Sequence, residues 1–256
     1  MEEIRLNKFI ASCGVCSRRI ADVIIEKGEV LVNGKKAAPG MKISEGDEVR
    51  IYNKIMGDYE KITPDRKVVL AWYKPKGVTC TEKDEHADVI ITDAIKYPVR
   101  VTYAGRLDRD SEGLLLLTND GDLIDAMMRG SNRHEKEYLV RMSGEVTDDF
   151  LKKMSSGIYL PDVNITTRPC KVEKTGRNTF KIILTQGVNR QIRRIVKELG
   201  FYVNSLKRVR VVNVLLADLK PNEFRELNEI ELQSLYNIVY KSRRSGKSKT
   251  QDVVSQ

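Results

Sequence analysis

The apolar residues of the first 52 positions follow two different periods. Spacings of three and four predict two short helices, from two groups of residues: Leu6, Phe9 and Ile10, then Ile20, Val23, Ile24 and Ile25. After Gly28 the period changes to two, with Val30 and Val32 apolar. Asn33 and Gly34 follow, and this dipeptide tolerates the positive φ of a tight hairpin. The pattern therefore predicts a small α/β unit of two helices and a hairpin.

The polar stretch 53–66 shows neither period, so it predicts a linker, and we place the first domain at residues 1–60. From position 68 onward strand-like and helix-like runs are mixed, which predicts one larger α+β domain over residues 61–240. The expected strands are 68–72, 114–117, 138–142, 180–184 and 209–216. The expected helices are 123–128, 148–157, 190–199 and 229–239.

The last segment, 241–256, has a different composition. It contains five lysines and arginines, one aspartate and almost no apolar side chains. Such a segment cannot bury enough apolar surface to offset the entropy lost on ordering, so we expect a disordered basic tail.

Composition narrows the class of protein. Lysine and arginine total 45 against 36 aspartates and glutamates, which gives a formal net charge of +9 and favours a polyanionic partner such as nucleic acid. The chain lacks an apolar run of about 18 residues and a basic stub followed by an apolar stretch, so we expect neither a membrane span nor secretion. Four cysteines without the spacing of a disulfide framework predict a reducing compartment, the cytosol.

Basic residues of the N-terminal unit can form one cationic face: Arg5, Lys8, Arg18, Arg19, Lys35 and Lys36. Such a face gains free energy by releasing counterions from nucleic-acid phosphates, whereas scattered charges would only solvate helix surfaces. With Gly14, Ser17 and Gly28 in place, residues 5–34 also resemble the RNA-binding domain first described in ribosomal small-subunit protein four. The resemblance implies a unit that positions the protein on RNA without reading bases.

Cys13-x-x-Cys16 has the spacing of half a zinc site. A tetrahedral site needs four ligands, and the other cysteines and histidines offer no second matching pair. We therefore expect no metal there and interpret both cysteines as small apolar residues at the turn between the two helices.

The segment 105–121 combines charged residues with a buried strand. Asp108 lies between two arginines, and four consecutive leucines follow at 114–117. A loop held at the end of a buried strand can turn a carboxylate into a cleft while its arginines contact a polyanion. The spacing also echoes the start of a calcium loop, but the twelfth position is Asn119 and the leucines belong in a core, which excludes that site.

Residues 105–119 closely resemble the signature of the RsuA-type pseudouridine synthases. Residues 73–78 resemble the first sheet motif of that family, and residues 136–140 resemble its tyrosine motif. The resemblance covers essentially residues 1–228. It implies a mixed, mainly antiparallel central sheet with flanking helices, an essential nucleophile at Asp108 and no cofactor. We expect the enzyme to be a monomer.

A third motif lies at 186–194, where Arg190-Gln191 replaces the His-Gln of many relatives. This variant is similar to the RluF branch of the family, which implies large-subunit ribosomal RNA as the substrate and leaves transfer RNA open. The surrounding stretch 188–210 holds seven lysines and arginines against one glutamate, so we expect RNA backbone to cross it.

The resemblance assigns roles around Asp108. Pseudouridine formation detaches the base of a uridine, turns it and rejoins it to the ribose through carbon five. Burial disfavours a charged nucleophile, so a cation is needed beside Asp108, and Arg193 is the expected partner. Tyr138 is expected to stack on the uracil and to help deprotonate carbon five, and Arg106 to fill the space of the extruded base. Whether Asp108 attacks the ring or the ribose stays open.

Further RNA contacts are expected from residues beside these positions: Leu107, Arg109, Arg190, Gln191 and Arg194. Each role has a simpler counterpart, such as Arg193 bound only to phosphate, Tyr138 in the core, or Arg106 paired with Asp110. The alternative function is a non-catalytic RNA-binding factor in ribosome assembly. A metal-dependent hydrolase is disfavoured, because the chain has two histidines and no metal-ligand cluster in its sequence.

Overall fold

A computed structural model of the chain describes residues 3–80 and 95–248. The chain divides into two compact units. The first contains the residues up to Val68 together with Tyr97–Val101 and Asn119–Gly121, and the second contains the remainder. The candidate nucleophile Asp108 therefore belongs to the second unit.

The first unit contains the two predicted helices and the predicted hairpin. Helix α1 spans Leu6–Ser12 and helix α2 spans Arg18–Glu26. The strands are β1 (Ile4–Arg5), β2 (Val30–Val32), β3 (Lys35–Lys36), β4 (Lys42–Ile43), β5 (Val49–Asn53) and β6 (Asp58–Lys61). β1 pairs with β4, and the other four form a sheet in the order β3-β2-β5-β6. Asn33 and Gly34 join β2 to β3 with φ of 51° and 76°, which confirms the hairpin.

The buried face of α2 differs from the prediction at two positions. Ala21 and Ile25 enter the core, whereas Ile20 and Val23 are 47% and 46% exposed. Apolar residues cover more than one side of this helix, so their spacing alone does not show which side packs against the sheet.

The predicted linker 53–66 is wrong over part of its length, because Asp58–Lys61 forms strand β6 and pairs with β5. Tyr59 holds this hairpin. Its ring meets Tyr52 edge to face at a centroid distance of 5.3 Å, and its hydroxyl donates to the Gly28 carbonyl at 3.1 Å. β6 is a polar edge strand, so it lacks the alternation that marks a strand in sequence.

Cys13 and Cys16 lie between α1 and α2, as expected. Cys16 packs against the apolar core of the unit. Burial raises the pKa of the Cys13 thiol to about 11. An uncharged, half-buried thiol behaves as a small apolar side chain, which agrees with the interpretation of these residues.

The second unit is built on a large mixed sheet. Its strands are β7 (Val69–Lys74), β8 (Thr102–Tyr103), β9 (Glu112–Thr118), β10 (Lys136–Met142), β11 (Tyr159–Leu160), β12 (Ile165–Thr166), β13 (Lys171–Gly176), β14 (Thr179–Leu184), β15 (Val203–Val211), β16 (Val214–Leu215) and β17 (Phe224–Glu226). Within the described residues, nine of them form one sheet in the order β13-β14-β10-β15-β9-β7-β17, with β8 beside β9 and β16 beside β15. β15 and β9 run parallel and the remaining pairs run antiparallel. This confirms the mixed, mainly antiparallel α+β fold.

Helices pack on this sheet over two apolar clusters. They are α3 (Gly121–Met128), α4 (Asp148–Ser156), α5 (Gln191–Glu198) and α6 (Glu229–Ser248). Residues of α3 and α6 pack with β7, β9 and β15, and residues of α4 and α5 pack with β10, β14 and β15. No helix in the described ranges has the length and apolar composition that crossing a membrane requires.

Helix α6 continues to Ser248, eight residues beyond the predicted end of the domain at 240. The sequence predicted disorder from 241 because the segment has nothing apolar to bury. An existing helix extends through lysine and arginine at little cost, since both have high helix propensity and the nucleus is already formed. Residues 249–256 of the predicted tail lie outside the described residues.

Strand β9 follows the loop 105–111 and is buried on both faces, with the leucines at 114–117 at most 1% exposed. Gly113 lies where β9 meets β15. A β-carbon on Gly113 would stand 2.3 Å from the carbonyl oxygen of Arg208, and the φ of this glycine is +107°. Only glycine fits such a position. The close contact fixes the loop 105–111 at the entrance to β9.

Candidate active site

A cavity of about 960 Å³ lies in the second unit. Its lining comes from the loop 105–111, the end of α3, strands β10 and β15 and the segment 184–192. Asp108 is part of this lining, and 29% of its side chain is exposed. The strand and loop that the sequence predicts therefore bring Asp108 to an open cavity.

Two buried cations hold the loop 105–111 in place. Lys74 is fully buried, and its Nζ donates to the Ser111 carbonyl at 2.9 Å. Arg208 is 2% exposed, and its Nη1 donates to the Arg106 carbonyl at 3.3 Å. Because both ends of the loop are tied to the sheet, Asp108 is presented on a rigid support.

Arg190 and Arg193 of the third motif contact the acidic residues of this loop. Arg190 makes a bidentate pair with Asp110, at 3.1 Å to Oδ1 and 2.9 Å to Oδ2, and its Nη1 lies 3.7 Å from Asp108 Oδ2. Arg193 Nη2 lies 3.2 Å from Asp110 Oδ2. The predicted ion pair of Asp108 with Arg193 is therefore corrected: among the described residues, Arg190 is the cation paired with Asp108. Arg193 also donates to the carbonyls of Asp110 and Val203, which turn its guanidinium toward the loop backbone.

These contacts, together with burial, shift the pKa values of Asp110, Arg190 and Arg193. Partial burial raises the pKa of Asp110, but hydrogen bonds from Arg190 and the charge of Arg193 outweigh it, so its pKa lies below the ordinary value. The hydrogen bonds to Asp110 raise the pKa of Arg190. Burial lowers the pKa of Arg193. The ionised Asp110 thus fastens both arginines beside Asp108.

Further residues predicted for the site line the same cavity. Leu107 is buried at 6% exposure, and Tyr138 lies on β10 opposite Arg208 of β15. Arg106 and Arg109 are exposed at the loop. The simpler interpretation of Arg106 as a partner of Asp110 is not supported, because in the described structure the ion pairs of Asp110 are with arginines of the third motif.

Gln191 and Arg194, two further residues predicted to contact RNA, lie in different surroundings. Gln191 lines the cavity but is 4% exposed, and its Oε1 accepts from the Val188 amide at 3.3 Å. Arg194 forms an ion pair with Asp162, and its Nε donates to the Asn189 carbonyl at 2.9 Å. Helical geometry explains the difference, because successive residues of α5 point to different sides and the sequence does not show which side meets the cavity.

The cations predicted for RNA binding in the first unit remain accessible. Arg5, Arg18 and Arg19 are exposed, and Lys8 is half-buried. The Ser17 side chain caps α2 by accepting from the Ile20 amide at 3.4 Å. Two arginines and no acid in the first turn oppose the dipole of this helix, an unfavourable arrangement that a bound anion would offset.

Sequence reasoning missed four polar residues as parts of the site: Lys74, His134, Lys136 and Arg208. Three of them line the cavity, and Lys74 supports its loop. Burial, with the charge of Arg208 as a second cause, lowers the pKa of Lys136 to about 8. Strand alternation is a sequence signal for one of them, because Lys136 precedes Tyr138 by two positions and so shares its face of the strand.

Comparisons with known proteins agree with this geometry. Residues 68–198 match the RNA pseudouridylate synthase family, and residues 4–49 match the S4 domain. The dual-specificity RNA pseudouridine synthase RluF of Salmonella typhi is 41% identical over 245 residues, which cover 96% of this chain and 83% of that protein. The ribosomal large subunit pseudouridine synthase B of Bacillus subtilis is 32% identical over 237 residues, covering 90% and 95%. A crystal structure of a pseudouridylate synthase is 28% identical with a TM-score of 0.65, covering 91% of this chain and 99% of that one.

The chain belongs to the RNA pseudouridylate synthase family, whose members are RNA isomerases, and its first unit carries an S4 domain. Within this family it is similar to RluF and to the large-subunit enzyme B. The resemblance to RsuA-type enzymes and to their RluF branch is therefore confirmed. RNA is the substrate of this class.

Proposed function

We propose that the chain converts a specific uridine of large-subunit ribosomal RNA to pseudouridine, with Asp108 as the nucleophile. The position of Asp108 carries the proposal. Its carboxylate is partly exposed in the cavity, and the other charged residues of the described lining are cations: Arg106, Arg109, Arg129, Lys136, Arg190 and Arg208. Such surroundings attract the polyanionic RNA, and a carboxylate open to the cavity can act as a nucleophile.

The other residues proposed for the site bind the uridine or support the loop that carries Asp108. The uridine has to leave its stack before it can reach Asp108. Tyr138 presents its ring to the detached uracil from β10, on the wall formed with β15. Arg106 is exposed beside the cavity, where a planar guanidinium can replace the extruded base in the stack. Arg190 and Arg193 hold Asp110 and support the loop on which Asp108 lies.

The names of the relatives guide the choice of substrate. The Bacillus subtilis protein is named for the large ribosomal subunit, and the Salmonella typhi protein is named as dual-specific. We therefore place large-subunit ribosomal RNA first and transfer RNA second. The proposed enzyme is a cytoplasmic monomer that uses no cofactor, since the isomerisation involves no net redox change.

Chemical mapping tests the substrate. The protein is incubated with fragments of large-subunit RNA, small-subunit RNA and transfer RNA, and pseudouridine is located by carbodiimide treatment and primer extension. We expect a new stop at one uridine of a large-subunit fragment. Stops confined to small-subunit RNA would reject the assignment, and RNA binding without any stop would favour the assembly-factor alternative.

Reversing two charges in the S4 domain should weaken RNA binding. The double variant Arg18→Glu, Arg19→Glu removes two exposed cations from the start of α2. We expect about a tenfold loss of affinity and a salt dependence of log K shallower by about 1 to 2, because fewer counterions are released. Filter binding at several salt concentrations measures both.

The matched control reverses two adjacent exposed lysines on another helix, α4. The variant Lys152→Glu, Lys153→Glu changes the net charge by the same amount. Equal losses in the two double variants would mean that overall charge, rather than the α2 arginines, determines affinity.

A further inference from the structure

Polar atoms without partners gather on the inner wall of the cavity. Arg208 Nη2, Gln191 Nε2 and His134 Nε2 are buried and have no hydrogen-bond partner among the described residues. The exposure of these three side chains is 2%, 4% and 6%, and all of them line the cavity. A buried polar group without a partner destabilises the folded state until a hydrogen-bond partner reaches it. A wall of this kind is completed by the ligand that enters it.

Two side chains of this wall are cations that lack a carboxylate partner in the described ranges. Arg208 donates to the carbonyls of Leu114 and Arg106, at 2.7 and 3.3 Å. Lys136 Nζ donates to the His134 carbonyl at 3.3 Å. Burying a cation without a counter-charge is unfavourable, so the two residues together favour an anionic guest.

We propose that Lys136 and Arg208 are catalytic residues that stabilise the negative charge of the uracil ring as it separates from the ribose. This inference rests on the proposed function, because it needs a uridine in the cavity. The inference gives Lys136 and Arg208 a part in the reaction, in addition to the nucleophile, the stacking tyrosine and the arginines of the third motif.

The electron count of the reaction requires such a charge. When the bond between uracil N1 and ribose C1′ breaks, its electron pair stays on uracil and delocalises over N1, O2 and O4. The Asp108 carboxylate forms a bond to C1′ as uracil leaves; carbon five then donates an electron pair to C1′ and displaces this carboxylate, the proton on carbon five leaves, and N1 gains a proton. The product is an isomer of the substrate, and no co-reactant is consumed. Fixed cations lower such a barrier most where water is excluded.

Lower exposure distinguishes this pair of cations from those that meet phosphates, since Arg208 is buried and Lys136 is half-buried. Arg106 and Arg109 are exposed at the loop, whereas Arg208 is reached only by a group that enters the cavity. Lys136 precedes Tyr138 by two positions on β10, and Arg208 lies opposite Tyr138 on β15. Both cations therefore flank the ring on which the uracil is proposed to stack.

The pH dependence of the reaction reports on Lys136. Its pKa is lowered to about 8, and the charged or titratable groups facing it are Arg208 from β15 and His134 from the preceding turn. Burial also lowers the pKa of His134, so this side chain is uncharged at neutral pH. Since protonated lysine is the stabilising form, kcat/KM should fall as the pH rises through about 8. Lys136→Arg should keep the pH 7 rate within about tenfold and remove that decline, because a guanidinium stays charged.

Lys136→Met tests the charge directly. We expect the single-turnover rate to fall by ~10²-fold while RNA affinity stays within about twofold. The urea midpoint of unfolding should rise, because the variant removes a half-buried cation that has no carboxylate partner in the described ranges. A merely structural lysine predicts the opposite, a lower midpoint. Lys181→Met is the control: Lys181 lies on the adjacent strand β14, pairs with Glu173 at 2.8 Å and is not among the residues lining the cavity, so its rate should not change.

RNA containing 5-fluorouridine separates charge stabilisation from other roles. Fluorine stabilises the uracil anion by itself, so the defect of Lys136→Met in breaking the N1–C1′ bond should shrink by at least ~5-fold relative to uridine. Equal defects with both substrates would overturn the proposal. The proposal would also be overturned if Lys136→Met weakened RNA affinity and made its salt dependence shallower, because this result would indicate that Lys136 contacts an RNA phosphate.

The two proposals fail in different ways. The assay uses whichever RNA fragment the wild type modifies, so it does not depend on the large-subunit assignment. Activity in Asp108→Asn together with loss in Lys136→Met would reject the nucleophile and retain the cation pair. An inactive Asp108→Asn beside a fully active Lys136→Met would retain the nucleophile and reject the cation pair.

Discussion

Replacing Asp108 with asparagine should lower the single-turnover rate of pseudouridine formation by at least ~10⁴-fold. The amide has nearly the same size, but it carries no negative charge with which to attack carbon. The side chain is 29% exposed and its ion-pair distance to Arg190 is 3.7 Å, so the substitution leaves little buried charge unpaired. Folding and RNA affinity should therefore stay close to those of the wild type. Release of tritium from carbon five of labelled uridine measures the rate.

Asp110→Asn is the matched control, because it removes a carboxylate two positions away. Asp110 holds Arg190 and Arg193 and is not part of the cavity lining, so its loss disturbs the support of the site without removing the proposed nucleophile. We expect about a tenfold slower rate for this variant. An Asp108→Asn rate equal to that of Asp110→Asn would show that the two carboxylates share a supporting role and that the nucleophile lies elsewhere.

Gly113→Ala should lower the free energy of unfolding by about 3 kcal/mol, from overpacking and left-handed backbone strain together. The added methyl would stand 2.3 Å from the Arg208 carbonyl oxygen and 2.7 Å from its amide nitrogen, and neither backbone atom can move alone. β9 and β15 would have to separate, which displaces the Arg208 side chain from the loop that it holds. Activity should fall with stability. Urea unfolding followed by circular dichroism measures the change.

Gly187→Ala provides the comparison for this prediction. Gly187 has open space within 4 Å of an added β-carbon, so an alanine there meets no such contact. We expect its unfolding free energy to stay within about 0.5 kcal/mol of the wild type. A similar loss in both variants would attribute the effect to glycine replacement in general rather than to the contact of β9 with β15.

Features encoded by neighbouring residues could be predicted from the sequence. The four leucines at 114–117 and the charged loop before them identified both the buried strand and Asp108 at its entrance. The Asn33-Gly34 hairpin followed from dihedral preferences of two residues. In each case the physical cause lies within one element, so one sequence window contains it.

Features that depend on distant residues could not be predicted in this way. Arg190 and Arg193 lie 80 or more positions after Asp110, and sequence does not show which of two nearby carboxylates each arginine meets. Arg208 was counted among the surface charges of a basic stretch, yet its strand is covered by neighbours on both sides and it is buried. Burial of a charged side chain is a property of the sheet order, which local periodicity does not contain.

The parallel contact of β9 with β15 has a consequence for synthesis of the chain on the ribosome. Residues 112–113 pair with 207–208, and the hydrogen bond from Arg208 to Leu114 spans 94 positions. At translation speeds of about 5–20 residues per second, β15 is synthesised roughly 5–20 s after β9. The loop bearing the proposed nucleophile thus acquires its final geometry late, after most of the polypeptide has emerged. A nascent chain stalled before that point should bind RNA through its completed N-terminal domain while remaining unable to modify it.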